Sequence, residues 1–249
     1  MEKITSRRNP LCIHIKKLGA TSDYRESSGQ FLCDGLKLLE EAVMCGAEIC
    51  VVFTAECIPF PLPIETRVYY AERSLIDSLS PLKSSQNTLF TCKIPTRTAP
   101  ATSSGTHILL DGVQDPGNVG TIIRTANAFG IKSVMLANGC ADPYNPKTIR
   151  ASMGAIFRQS FQNVSMDEIV KLSSAGFRFV GATLGKGSKN VSDTELKNSI
   201  IVIGSEGRGI SGNITSICSE MITIPMAAGC ESLNAAVAAA ILMWEAKEI

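Results

Sequence analysis

The second half of the chain consists of short apolar runs that each deliver a polar, glycine-bearing loop. HILLDGV (107–113), SVMLANG (133–139), FRFVGATL (177–184), IIVIG (200–204) and MITIP (221–225) have the length and β-branched content of buried strands. Between them lie segments of helical period. Val119, Ile122, Ile123, Ala126 and Phe129 share one face of a helix expected to begin at Asn118 or Val119 and to stop at Gly130. Near the C-terminus, AAVAAAILMW follows a polar Ser-Leu-Asn turn and is too short to span a membrane, so it reads as a buried helix. Strands alternating with helices predict, from pattern alone, a Rossmann-like parallel sheet.

The first half alternates shorter pieces. FLCDGLKLLEEAVMCG (31–46) places Leu36, Leu39, Ala42 and Val43 on one face and predicts a single helix stopped by Gly46. EICVVFTA (48–55) reads as a strand, PFPLP (59–63) as an irregular connection, RVYYAE as a second strand, SLIDSLS as a short helix before Pro81, and NTLFTCKIP as a third strand. These pieces predict a small α/β sandwich over residues 1–95. TRTAPATSSG (96–105) contains no large apolar side chain and reads as a linker to a second domain over 106–249.

At 249 residues the chain is long enough for two domains, and its net charge of +1 says nothing about partners. Local clusters say more. Lys3, Arg7, Arg8, Lys16 and Lys17 face a single acid, Glu2, within the first seventeen residues, and form either a solvated end or a phosphate contact. Lys147, Arg150 and Arg158 offer the same two readings. Nine cysteines without a C-x-x-C pair argue against a structural zinc and a redox dithiol, and predict reduced thiols in a cytoplasmic protein with no membrane segment.

Candidate chemistry gathers where the apolar runs end. Polar side chains beside glycine at the carboxyl ends of parallel strands are how an α/β sheet builds a ligand site. Asn118 and Arg124 follow HILLDGV, Glu206 follows IIVIG between small residues, and Ser232 and Asn234 follow MITIP. Each also has a plain structural use: Asn118 or Ser232 as a helix N-cap, Arg124 as a solvated helix residue, Glu206 as a turn cap. Gly185 and Gly187 resemble part of a dinucleotide loop, but Ser188, Lys189 and Asn190 do not complete GxGxxG.

With Asn118, Arg124, Glu206, Ser232 and Asn234 in this order, residues 106–249 closely resemble the SpoU/TrmH-type RNA ribose 2′-O-methyltransferases of the SPOUT superfamily, ribosomal RNA branch. The resemblance implies an α/β domain with a parallel sheet whose C-terminal segment is threaded through a trefoil knot. It implies S-adenosyl-L-methionine as cofactor, RNA as substrate and a homodimer, with no metal. Arg124, Asn118, Glu206, Ser232 and Asn234 fall on its catalytic positions, and Thr183, Leu184, Gly204, Ile224 and Leu233 on its cofactor-binding positions. A guanidinium with a pKa above about 12 does not readily give up its proton, so Arg124 is expected to bind an acceptor phosphate rather than act as base. Two departures, Ala228 for a common glycine and AAVA after Asn234, exchange small residues for small ones. Residues 1–95 resemble more loosely the ribosomal-protein-like RNA-binding domain found in ribosomal RNA enzymes, which favours ribosomal over transfer RNA as substrate. The other readings are a transfer RNA enzyme, a non-catalytic RNA-binding protein on the same fold, and a nicotinamide-dependent enzyme on an ordinary Rossmann sheet.

Overall fold

The computed structural model describes residues 2–96, 104–185 and 187–247, so residues 97–103 of the expected linker lie outside the described residues. The chain forms two compact units, Met1–Thr96 with Asp142–Arg158, and Arg97–Ala141 with Gln159–Ile249. The chain first runs through β1 (Glu2–Lys3), α1 (Pro10–Ala20), α2 (Ser22–Ser28), β2 (Gln30–Asp34), α3 (Leu36–Met44), β3 (Ile49–Thr54), β4 (Arg67–Tyr70), α4 (Arg73–Leu79) and β5 (Thr88–Lys93). These strands form a five-stranded sheet in the order β1-β4-β3-β5-β2.

Asn9 starts α1 by accepting from the Leu11 amide at 2.9 Å, with Pro10 in the first turn where a missing N–H costs nothing. The helix then buries Cys12, Ile15 and Leu18 against Leu32, Phe53, Ile76 and Leu89. Arg25 on α2 is only 3% exposed and donates to Asp142 Oδ2 from Nε at 2.7 Å and Nη2 at 2.5 Å, and from Nη1 to the Leu18 carbonyl at 2.7 Å. Asp142 thereby ties the inserted segment Asp142–Arg158 into its unit, and Arg158 pairs there with Glu41.

The helix expected over 31–46 is two elements. Phe31, Leu32 and Cys33 are all buried in β2, and a strand buried on both faces carries no alternation that distinguishes it from a helix. Gly35 then turns the chain at φ +123°, where any β-carbon would meet Gln86 Oε1 at 2.2 Å, and the helix begins only at Leu36.

From residue 104 the chain continues through β6 (His107–Asp111), α5 (Pro116–Ala128), β7 (Ser133–Ala137), α6 (Pro146–Ser152), β8 (Phe161–Asn163), α7 (Met166–Ser174), β9 (Phe179–Ala182), β10 (Lys189–Asn190), β11 (Ile200–Gly204), α8 (Gly212–Thr215), β12 (Glu220–Thr223) and α9 (Ala235–Ala246). The seven strands are ordered β10-β12-β9-β11-β6-β7-β8, and every pairing is parallel. Ile108, Leu109, Leu110, Ile200, Ile201 and Val202 are fully buried, each worth about 1.5–3 kcal/mol of hydrophobic stabilisation. Because β9, β11 and β6 are neighbours, the loops leaving their carboxyl ends lie side by side. After β12 the chain returns past these loops and lays α9 against α5 and β11. Among the described residues no helix is long and apolar enough to cross a membrane.

Candidate functional site

The loop after β6 reaches α5 through Asp115, which caps the helix by accepting from the Asn118 amide at 2.8 Å, with Pro116 in the first turn. The helix therefore starts ahead of Asn118, and Asn118 is not its cap. Its side chain is left for other partners: Nδ2 donates to Glu206 Oε1 at 2.6 Å, and Oδ1 accepts from Asn234 Nδ2 at 3.0 Å. At α9 the cap is Asn234 rather than Ser232, with Asn234 Oδ1 accepting from the amides of Ala236 at 2.9 Å and Val237 at 3.2 Å.

The polarity of this chain is fixed at both ends. Backbone amides can only donate, so Asn234 presents oxygen to α9 and nitrogen to Asn118. An ionised carboxylate can only accept, so Asn118 presents nitrogen to Glu206. Dipoles thus run in one direction from the first turn of α9 to the Glu206 carboxylate, joining α5 to a loop 88 residues away in sequence and to the start of α9 116 residues away.

Glu206 is carried on a closed loop. Ser205 and Gly209 exchange backbone hydrogen bonds of 3.1 and 2.9 Å, folding residues 205–209 over the end of β11. Gly204 makes this possible: a β-carbon there would lie 2.2 Å from the Gly209 carbonyl carbon and 2.4 Å from the Ile210 nitrogen. Beneath the loop, Asp111 is 3% exposed and accepts from the Ser211 amide and from Asn138 Nδ2, both at 2.6 Å. This buried carboxylate, which anchors the loop, escaped sequence reasoning; its signal was an acid closing the apolar run HILLD. Nearby, burial and then the Asp111 charge push the Cys218 thiol up to about 11, so it remains a neutral packing group.

Beside the loop is a cavity of about 320 Å³. Thr183, Leu184, Gly204, Ile224 and Leu233 all line it, with Glu206 and Ser232 among its polar wall groups and Ile203, Ile222 and Leu242 among its apolar ones. Of the expected residues, Arg124 stands apart. It is exposed on α5, is not among the residues lining the cavity, and its side chain makes no hydrogen bond or ion pair among the described residues. A mostly apolar pocket with a few converging polar groups at the carboxyl edge of a parallel sheet suits a small ligand with a flat apolar part and a polar tail.

Comparison with known proteins agrees with this geometry. The model of the SpoU rRNA Methylase family matches residues 105–244. The 23S rRNA (guanosine(2553)-2′-O)-methyltransferase RlmP of Bacillus subtilis is 30% identical over 98% of this chain and 98% of its own length. Among solved structures, an rRNA methyltransferase from Sinorhizobium meliloti superposes with a TM-score of 0.86 at 25% identity, covering 98% of this chain and 96% of that one. The SpoU methyltransferase AviRb from Streptomyces viridochromogenes, in complex with AdoMet, superposes at 0.84 with 26% identity, covering 96% of this chain and 97% of that one. The fold is thus that of the SPOUT methyltransferases, a parallel-sheet α/β methylase domain preceded in sequence by a smaller N-terminal α/β domain. The chain belongs to the SpoU rRNA methylase family.

Proposed function

We propose that the protein is an S-adenosyl-L-methionine-dependent RNA ribose 2′-O-methyltransferase acting on ribosomal RNA. The observation that carries the reading is the polar chain Asn234–Asn118–Glu206, ending on a wall residue of a cavity that all five expected cofactor positions line. The residues fit the donor. Ile222, Ile224, Leu233 and Leu242 offer apolar surface to an adenine, while Thr183, Ser205 and Ser232 offer hydrogen-bonding groups to its polar parts. When bound, the donor supplies an electrophilic methyl group on a sulfonium, and the products are a 2′-O-methyl nucleotide, S-adenosylhomocysteine and the proton released from the 2′-hydroxyl.

The protein's own work is alignment and charge control. Glu206, oriented through one oxygen by Asn118, has a second carboxylate oxygen to accept from donor or nucleotide. Ser232 and Asn234 set the loop that closes the cavity, and Asn118 fixes the distance between α5 and that loop. Arg124, with its guanidinium uncommitted, binds an acceptor phosphate and eases ionisation of the 2′-hydroxyl without itself losing a proton.

Residues 1–95 would dock the RNA, joined by the linker 96–105 to the catalytic domain 106–249. We also assign a homodimer, supported by α9, whose Val237 and Trp244 are 47% and 52% exposed seven residues apart on one face. A cytoplasmic location accords with nine free thiols. The test is transfer of labelled methyl to protein-free ribosomal RNA, with a thermal shift on S-adenosylhomocysteine and NAD side by side. Transfer and a shift with S-adenosylhomocysteine alone support the reading; a shift with NAD alone and no transfer would sink it. Mapping 2′-O-methylation in total RNA with and without the gene then identifies the nucleotide.

A further inference from the structure

The catalytic cavity leaves a second one, and the basic N-terminal stretch, without a role. Within the first unit a cavity of about 360 Å³ opens at the foot of α1, and Asn9, His14, Gln30, Cys50, Arg67 and Tyr69 are among the residues lining it. Its volume lies in the range of small-ligand sites, about 300–1,000 Å³. The opening follows from the sheet. Two-residue β1 pairs only with Tyr69 and Tyr70, so the Arg67 end of β4 is left uncovered on that side, and β3 shifts register between Ile49 and Val51 beside it.

Three of the lining groups are flat: the His14 and Tyr69 rings and the Arg67 guanidinium. The His14 ring is held from both sides, Nδ1 against the Tyr24 hydroxyl at 2.9 Å and Nε2 against Gln30 Oε1 at 3.3 Å. The hydrogen-bonding capacity left over is mostly donating. Asn9 Oδ1 is used on the Leu11 amide and Gln30 Oε1 on His14, which leaves both amide nitrogens, and the Arg67 guanidinium makes no hydrogen bond or ion pair among the described residues. None of the lining residues is acidic. Exposed Arg7 and Arg8 immediately precede Asn9, adding positive charge at the rim.

We propose that this cavity receives one unpaired nucleotide of the RNA substrate, its base against the flat groups, its acceptor edge on Asn9 and Gln30, and its flanking phosphates near Arg7 and Arg8. Stacking on aromatic and guanidinium planes with hydrogen bonds to a freed edge is how single-stranded RNA is held, whereas a paired and stacked base offers neither face nor edge. The site rests on the methyltransferase reading and deepens it, placing recognition of an unpaired nucleotide in the first unit.

The experiment uses the full-length protein and two RNA probes, a hairpin with an unpaired loop and a fully paired duplex of equal length, with free AMP and UMP as competitors. Gln30→Ala and Arg67→Ala are the variants, because Tyr69 also packs on the core and its removal would confuse binding with folding. Each variant should weaken hairpin binding about fivefold or more, in keeping with the worth of a stacked base, while Gln30→Ala leaves duplex binding and S-adenosylhomocysteine binding unchanged. Hairpin affinity equal to wild type in both variants, with the wild type methylating ribosomal RNA normally, would overturn the cavity assignment alone. A mononucleotide that binds as tightly as the hairpin would overturn it too, by making the ligand a free nucleotide. A wild type that neither binds RNA nor transfers methyl would overturn the methyltransferase reading, and this proposal with it.

Discussion

Gly204→Ala tests the link between loop closure and the cavity. The added methyl is fixed to the backbone and has no rotamer to escape into. It lands 2.2 Å from the Gly209 carbonyl carbon, 2.4 Å from the Ile210 nitrogen and 2.5 Å from the Gly209 oxygen, all backbone atoms. Relief requires opening the Ser205–Gly209 bridge, which gives up its hydrogen bonds of 3.1 and 2.9 Å at about 1 kcal/mol each. Residual overpacking adds about 1–3 kcal/mol. Gly204, Ser205, Glu206, Gly207 and Gly209 are all cavity wall, so the displaced loop reshapes the cavity that the proposed function assigns to the donor. With about 3 kcal/mol expressed in binding, donor affinity falls on the order of a hundredfold. Calorimetry with S-adenosylhomocysteine measures this, and circular dichroism shows whether the sheet is retained. Gly212→Ala is the control, since a β-carbon there meets nothing within 4 Å. A folded Gly204→Ala protein that binds S-adenosylhomocysteine within twofold of wild type would refute the reasoning.

Four further outcomes are expected. Asn118→Asp sets a second carboxylate against Glu206, where Asn118 Nδ2 now donates at 2.6 Å, and should cut methyl transfer by about a hundredfold while the melting temperature changes little; unimpaired transfer would remove the polar chain from the site. Arg124→Lys and Arg124→Ala should each lose on the order of a hundredfold in turnover with donor affinity unchanged, and near-wild-type turnover in the alanine variant would return Arg124 to the helix surface. Asp142→Ala strips the partner from buried Arg25 and should cost about 3–5 kcal/mol in urea unfolding, a loss that would be absent if water reached the guanidinium. Burial, with the Lys132 charge adding, holds His107 below the usual imidazole range, so its contribution to stability is full above about pH 6.5 and is lost as pH falls through its lower folded value. Thermal melts taken from neutral to mildly acid pH should fall less steeply in His107→Gln than in wild type; parallel curves would show that another group carries the acid sensitivity.

The sequence alone carried the strand-and-loop map of the second unit and the residues around its cavity. An apolar run that stops at glycine and a polar residue marks a strand end, and strand ends of a parallel sheet face one edge; Thr183, Leu184, Gly204, Ile224 and Leu233 are named through the family resemblance, whose cofactor positions they occupy, and all five line the cavity. It was silent where two structures share one local pattern. Residues 31–33 read as helix because a strand buried on both faces does not alternate, and only pairing with β5 settled it. Capping was ambiguous in the same way, since Asp115 and Asn118, or Ser232 and Asn234, are equally able to hold a first turn. Tertiary structure decided between them by competition for partners. Once Asp115 caps α5 and the order β9-β11-β6 brings the Glu206 loop alongside, the Asn118 amide finds its partner across the sheet edge, and Asn234 completes the chain from α9. Hydrophobic period is a local property and can be read along the chain; the partner of a polar group 88 or 116 residues away depends on strand order, which no local window contains.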